Sequence, residues 1–361
     1  MKVLIVDDIE DSVKGIYDYC EEKDWDPEIC GFDDVYTSIA KFNPDVIVLD
    51  WRDDDANSDV GEEILNNIWS NSFRPLVVFS ANEAIINIQS KLSQSSMLKL
   101  ISKGDETPVI EFLQKIEAFT TALAKYRADL SNALIAALNS IEHIKSQPNF
   151  ENDAVSYILS KRTSTFFDDA YIGELSPSWV QYLCPPINNT LCVCDVIRKT
   201  SQGANYQTAG SPEEYAIILT PSCDMYHDSN RRPKVTHVLY ARCFPKELFH
   251  GKTLSASPSN SGINSVRAKL NAGFDENYVA LPSFSNVIPY MTVDFKKIDV
   301  VAIDQIASSK EEITDSTKFV RVASIFSPFR EQIVWAYMQS SCRPGVPQRN
   351  TELWAKEILT I

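Results

Sequence analysis

A chain of 361 residues is long enough for two domains, and its 44% apolar content suffices for buried cores. The net charge of -15 sits at one end: residues 1–120 hold 25 acidic and 10 basic side chains, and the rest holds 24 of each. That excludes a nucleic-acid surface for the first third, but leaves nucleic acid open for the neutral remainder, which has no strong basic stripe. No run of eighteen apolar residues exists, which excludes a membrane-spanning helix. The chain opens on a strand pattern with no signal peptide, so a cytoplasmic location is expected. Eight scattered cysteines lack a paired framework and read as thiols or metal ligands rather than disulfides.

In chain order, apolar β-branched runs at residues 2–6, 27–32, 45–50, 75–79 and 97–102 predict five strands. Helical spacing between them predicts helices over 9–21, 33–42, 61–69 and 82–91. Alternating strands and helices with right-handed crossovers give an α/β, doubly wound parallel sheet. Parallel strands end at one edge, where such sheets place their chemistry. The runs end on Asp7 and Asp8, on Asp50, on Ser80 and just before Lys103. Three clustered carboxylates repel one another unless a hard divalent cation lies among them, and oxygen ligands at that density suit Mg²⁺. A carboxylate beside Mg²⁺ and a lysine can act as a nucleophile toward a phosphoryl group.

These positions together resemble the receiver domain of bacterial response regulators, over about residues 1–120. The resemblance implies a flavodoxin-like five-stranded fold and a cytoplasmic phosphoprotein of a two-component phosphorelay. It also implies that Asp50 accepts a phosphoryl group from a sensor histidine kinase. Asp8, Asp50 and the backbone carbonyl of Arg52 are then the Mg²⁺ ligands, with Asp7 acting through water. Ser80, the small Ala81 and Lys103 read the phosphorylated state. The sequence departs from the family at Gly104, where proline is usual, and at Leu100, where an aromatic is usual. The loop after Asp50 is longer than usual and carries Asp53, Asp54 and Asp55. The other reading is a receiver fold kept only for docking or dimerisation, fused to an effector enzyme or a nucleic-acid-processing domain.

Thr107-Pro108 reads as a helix start, and residues 109–145 contain no Gly or Pro. Apolar residues recur with three-four spacing from Val109 to Ile144, interrupted at Thr120 and Arg127. Such a helix spans on the order of 55 Å. It pairs with its copy in a homodimer or packs along its own chain. The domains expected are a receiver over 1–106, a connecting helix over 107–147 and an α+β effector domain over 150–361.

The last domain shows no helix-turn-helix pattern. Strands are expected at 191–197, 215–219, 235–243, 278–281 and 293–301, a loop at 254–264, and helices at 327–340 and 352–359. This order suggests a small β-barrel followed by helices, and it resembles in fold the SH3-like barrel of small endoribonuclease toxins. Cys223, Asp224 and His227 follow an apolar strand that breaks at Pro221. They can be structural, can bind zinc with the Cys192 and Cys194 pair or with Cys184, His237 and Cys243, or can form a thiol–imidazole nucleophile. Arg321, Arg330, Arg343 and Arg349 are either an anionic site or scattered surface charges. A module that recruits another protein without catalysis is a further reading.

Overall fold

The computed structural model describes residues 1–52, 60–71, 73–81, 95–145, 153–170, 176–187, 190–201, 206, 208–228, 230–251, 257–342 and 350–360. The chain divides into two compact units, Met1–Glu174 and Leu175–Ile361.

In the first unit, strands β1 (Lys2–Val6), β2 (Asp26–Cys30), β3 (Val46–Leu49), β4 (Leu76–Ser80) and β5 (Leu98–Ser102) are all parallel. Their order, β2-β1-β3-β4-β5, is the flavodoxin-like doubly wound one. Strand alternation splits the apolar runs between two faces. Val3, Ile5, Val46, Val48, Val77 and Phe79 pack with Ile16 and Cys20 of α1 (Lys14–Glu22) and with Val109, Leu113 and Ile116 of α4 (Thr107–Lys145). Leu4, Val6, Ile47, Leu49 and Val78 pack with Val35 of α2 (Val35–Phe42) and with Ile64, Leu65 and Ile68 of α3 (Gly61–Asn71). Each fully buried side chain of this kind contributes about 1.5–3 kcal/mol, which is why central strands tolerate continuous apolar sequence. Pro27 sits in β2, an edge strand, where a missing N–H breaks no interior ladder.

The predicted helix 82–91 and the acidic residues Asp53, Asp54 and Asp55 lie outside the described residues. The helix expected over 9–21 begins later, at Lys14, after a short 3₁₀ turn, Glu10–Ser12. The Asp7 carboxylate draws that turn inward, accepting from Ile9 N at 2.9 Å and Ser12 Oγ at 2.9 Å.

The long helix α4 is present over 39 residues, but its apolar seam serves two purposes. Val109, Leu113 and Ile116 belong to the core under the sheet, whereas Leu130 and Leu134 stay exposed. Both interruptions have structural uses. Thr120 Oγ1 bonds back to Glu117 O at 2.8 Å, and Arg127 donates to Phe73 O at 3.2 Å. The boundary expected at 147–150 falls on residues outside those described. The chain divides further on because α5 (Asp153–Ala170) packs on α4, with the Tyr126 and Phe167 rings stacked 5.3 Å apart.

The second unit is built on an eight-stranded sheet of β6 (Tyr182–Leu183), β7 (Asp195–Lys199), β8 (Tyr215–Ile218), β9 (His237–Pro245), β10 (Tyr278–Leu281), β11 (Met291–Ala302), β12 (Ile306–Ala307) and β13 (Phe319–Ile325). The strands pair along the path β10-β11-β9-β8-β7-β13-β12, with β6 on β13, and every pairing is antiparallel except β12 with β13. Register shifts between Asp294 and Ile298 and between Arg321 and Ala323 mark bulges, which bend strands. Helices α6 (Ser222–Met225), α7 (Glu247–His250), α8 (Asn260–Ala272), α9 (Phe329–Ser341) and α10 (Thr351–Leu359) complete the unit.

The two longest elements here that were not expected are β13 and α8. Strand β13 is buried along its whole length, yet Arg321 and Ser324 hide it from an apolar pattern search. Helix α8 starts inside the stretch expected to be loop, because Ser259 caps it by accepting from Gly262 N at 3.2 Å. The strand expected from residue 191 begins at Asp195 instead, since Cys194 has a φ of 65° and Asp195 Oδ2 accepts from Cys192 N.

Candidate functional site

The ends of β1, β3 and β5 bring Asp7, Asp8, Asp50 and Lys103 to one place at the carboxyl edge of the first sheet. Main-chain bonds set the positions of three of them. Asp50 N donates to Val6 O at 2.8 Å, Asp7 N to Cys30 O at 3.1 Å and Lys103 N to Ser80 O at 2.9 Å. Lys103 Nζ lies 2.7 Å from Asp7 Oδ2 and 2.7 Å from Asp50 Oδ2, bridging the two carboxylates. Asp7 and Asp50 are buried, at 3% and 5% exposure, so their charges are poorly screened.

The electrostatics are those of a strained acidic cup. Burial pushes the Asp50 carboxyl above its ordinary pKa, Lys103 pulls it back down, and the neighbouring Asp7 adds to the rise. Burial works against the Lys103 ammonium, but Asp50 and Asp7 outweigh it and hold its pKa above the usual lysine value. Ser12, unremarked in the sequence because it lay within an expected helix, belongs here too. Its hydroxyl donates to Asp7 Oδ2, and Lys103 Nζ approaches it at 3.4 Å. Trp51 N donates to Asp50 Oδ1 at 2.7 Å, fixing the carboxylate's rotation. Trp51 is itself wedged against Gly61, where any Cβ would lie 2.7 Å from Trp51 Cα; Gly61 N bonds Trp51 O. The long loop after Asp50 is thus closed at its base.

The donor set fits Mg²⁺. Asp7, Asp8 and Asp50 each offer an oxygen, and these atoms lie within 4.8 Å of one another. An octahedral Mg²⁺ with bonds of about 2.1 Å needs ligand oxygens about 3–4 Å apart, so little closure is required. All three are hard oxygen donors, and Lys103 occupies only one oxygen on each of two of them.

Gly104 has a φ of 117°, which proline's ring cannot adopt, so the departure from the family's usual proline reflects a different backbone path. Ser80 is buried at the end of β4, Ala81 and Arg52 are exposed, and Leu100 packs at the margin of the core.

Replacing Lys103 with methionine is expected to destabilise the first unit, by somewhat less than the about 3–5 kcal/mol of a fully buried broken pair. Mg²⁺ should restore part of the loss, because it neutralises the same carboxylates. Denaturant unfolding in chelator and in Mg²⁺ measures both.

In the second unit, Cys223 and Asp224 are in contact, and His227 has another partner. Cys223 is exposed with its Sγ 3.6 Å from Asp224 Oδ1, Asp224 pairs with Lys234 at 3.3 Å, and His227 Nδ1 lies 3.4 Å from Met225 O. Among the described residues, the acidic trio of the first unit is the metal-capable group of three. Burial pushes the Cys194 thiol up to about 12 and raises that of Cys243 further, which marks them as inert core thiols. Arg321 lines no anionic site: it is buried on Thr190 O at 2.8 Å and Asp195 Oδ2 at 3.5 Å. Arg330 pairs with Glu331, and Arg343 and Arg349 lie outside the described residues.

No family model and no curated relative matches the chain. The solved structures similar to part of this chain include receiver domains. One is the N-terminal domain of a response regulator/sensory box/GGDEF 3-domain protein from Carboxydothermus hydrogenoformans: 19% identity, 36% of this chain, 99% of that one, TM-score 0.27. Another is a CheY-like receiver domain from Methylobacillus flagellatus: 14% identity, 32% and 98% coverage, TM-score 0.27. A third is the N-terminal domain of the nisin resistance regulator NsrR: 21% identity, 33% and 97% coverage, TM-score 0.26. The first unit has the flavodoxin-like doubly wound fold, and its own strand order carries that statement. No helix among the described residues is long and apolar enough to cross a membrane.

Proposed function

We propose that the chain is a two-component response regulator whose Asp50 accepts a phosphoryl group from a sensor histidine kinase and so controls its second unit. The observation that carries this reading is the bridge from Lys103 to Asp7 and Asp50 beside Asp8, at the sheet edge where parallel strands end. A half-buried cation and three carboxylates serve no packing need there, and their arrangement suits charge neutralisation at a transferring phosphoryl group.

An Asp50 oxygen attacks the phosphorus of the kinase phosphohistidine, forming an O–P bond as the N–P bond breaks. The electron pair stays on the imidazole nitrogen, which takes up a proton. In this reading Lys103 faces the new phosphoryl oxygens, and Ser80 and the backbone at Ala81 contact them. Asp7, Asp8, Asp50 and the Arg52 carbonyl would hold Mg²⁺, which supplies Lewis-acid neutralisation of the phosphoryl oxygens. The alternative, a receiver without chemistry, gains nothing from keeping these groups together at an electrostatic cost. The test is a beryllofluoride titration with Mg²⁺, followed by amide NMR. Shifts at residues 80–81 and 103 are expected, and an unchanged spectrum ends the reading.

The reading includes a homodimer through α4. Phe119, Leu130, Leu134, Ile135 and Leu138 are each 41–57% exposed on that helix, despite α5 packing alongside. Sedimentation of the full chain should show a dimer, and Leu130→Lys with Leu134→Lys should give monomers with an unchanged melting profile.

A further inference from the structure

Away from the acidic edge, the second unit has an open strand at one end of its sheet. Strand β10 is terminal in the strand order and, among the described residues, pairs with β11 alone. The register decides which of its main-chain groups face outward. Phe295 N donates to Asn277 O at 3.0 Å, and bonded pairs alternate along antiparallel strands. Asn277, Val279 and Leu281 therefore turn their N–H and C=O groups toward β11, and Tyr278, Ala280 and Pro282 turn theirs away. Tyr278 exchanges both bonds with Asp275, and Pro282 O accepts from the Tyr182 hydroxyl at 2.9 Å. Between them, nothing among the described residues pairs with the N–H or C=O of Ala280. The strand also carries none of the charged side chains that keep open edges from pairing.

A cavity of about 470 Å³ lies against this edge. Val279, Ala280, Leu281 and Pro282 all line it. Successive side chains of a strand point to opposite faces, so a cavity that touches four in a row flanks the strand rather than covering one face. Its other walls include Val266 and Leu270 of α8 and Ile333 of α9. Lys246 is the charged side chain among the lining residues, and it is exposed. It follows Pro245, which pairs with Met291, and Met291 pairs with Leu281, so the cation marks the Leu281 end of the edge. An apolar groove beside an unpaired main-chain donor and acceptor is the arrangement that takes up an added strand.

We propose that this groove binds an extended peptide segment of a partner protein by adding it as an antiparallel strand to β10. One residue of the segment exchanges both main-chain bonds with Ala280. Its two neighbours then share the face of Val279 and Leu281, which point to the core, and put apolar side chains into the cavity. An antiparallel segment begins at the Leu281 end, so an acidic residue just ahead of the apolar pair meets Lys246. Nothing in this proposal depends on chemistry at Asp50.

The test is calorimetric titration of the full chain with an acetylated and amidated hexapeptide, Thr-Glu-Leu-Thr-Val-Thr. One equivalent should bind. Methylating the nitrogen of the threonine between leucine and valine removes the donor to Ala280 O and should weaken binding at least tenfold. Methylating the valine nitrogen, which points away from β10, should leave binding within twofold. Ala280→Pro removes the outward N–H without touching a bond to β11, and should also weaken binding at least tenfold. Lys246→Glu should weaken it several-fold, and a peptide with lysine in place of its glutamate should recover the loss. The paired methylations use the unaltered chain, so they decide the matter even where Ala280→Pro disturbs the fold. Absence of binding, equal loss from the two methylations, or undiminished binding by Ala280→Pro overturns the proposal.

Discussion

Replacing Asp50 with asparagine should abolish phosphoryl labelling of the chain and weaken Mg²⁺ binding by no less than the about 10–100-fold typical of lost outer-shell partners. Asp50 would be a direct ligand rather than such a partner, being one of the three carboxylates that meet at the sheet edge. The same change should raise the stability of the metal-free protein. In the fold, burial and Asp7 hold the Asp50 pKa above its unfolded value despite the pull of Lys103. A carboxyl with a raised folded pKa brings no penalty below its unfolded pKa. The penalty grows as pH rises through the window and is complete above the folded pKa. In chelator, the wild-type chain should therefore fall behind the Asp50→Asn variant as pH rises from acid to neutral. Isothermal titration with Mg²⁺, and melting curves across pH with and without chelator, read the two effects separately. A variant that binds Mg²⁺ as tightly as the parent would remove Asp50 from the ligand set.

Arg321→Met should cost the second unit about 3–5 kcal/mol, the usual penalty for leaving one partner of a buried ion pair. Asp195 is fully buried, and its pKa is pushed up by that burial. The Ser324 hydroxyl at 2.6 Å, Cys192 N at 2.8 Å and the Arg321 guanidinium hold it back. Arg321 also ties Thr190 O to β13, so its loss frees a loop as well as a charge. Without the guanidinium, the folded pKa of Asp195 rises further, so the deficit should be smaller in mild acid and grow as pH rises through that window. Urea unfolding of the variant at several pH values measures this. A deficit under 1 kcal/mol at neutral pH would mean that Asp195 is already protonated in the wild-type fold.

The first unit was legible in the sequence because its central strands are buried on both faces and its chemical residues end those strands. Runs such as Val46–Leu49 need no partner to be read, and the residue after each run lands at the sheet edge by topology alone. Ser12 was not legible, since it reaches Asp7 through a loop conformation that the carboxylate itself stabilises. Strand β13 escaped because its polar residues are satisfied by another strand: Arg321 and Ser324 meet Asp195 of β7, more than a hundred positions earlier. Helix α8, with Asn260, Ser261, Gly262 and Asn264 in its first turns, has the composition of a loop and holds its start through the Ser259 cap. Cys223, Asp224 and His227 are close in sequence, but only the first two touch: Cys223 meets Asp224, Asp224 also meets Lys234, and His227 meets Met225 O.

The most direct measurement is intact-mass spectrometry of the full chain after incubation with acetyl phosphate, in Mg²⁺ and in chelator. The account predicts one added phosphoryl group in Mg²⁺, mapped to Asp50, and none in chelator or in the Asp50→Asn variant. An unmodified mass in Mg²⁺, with the fold intact by circular dichroism, would contradict it, as would a phosphoryl group placed on any other residue.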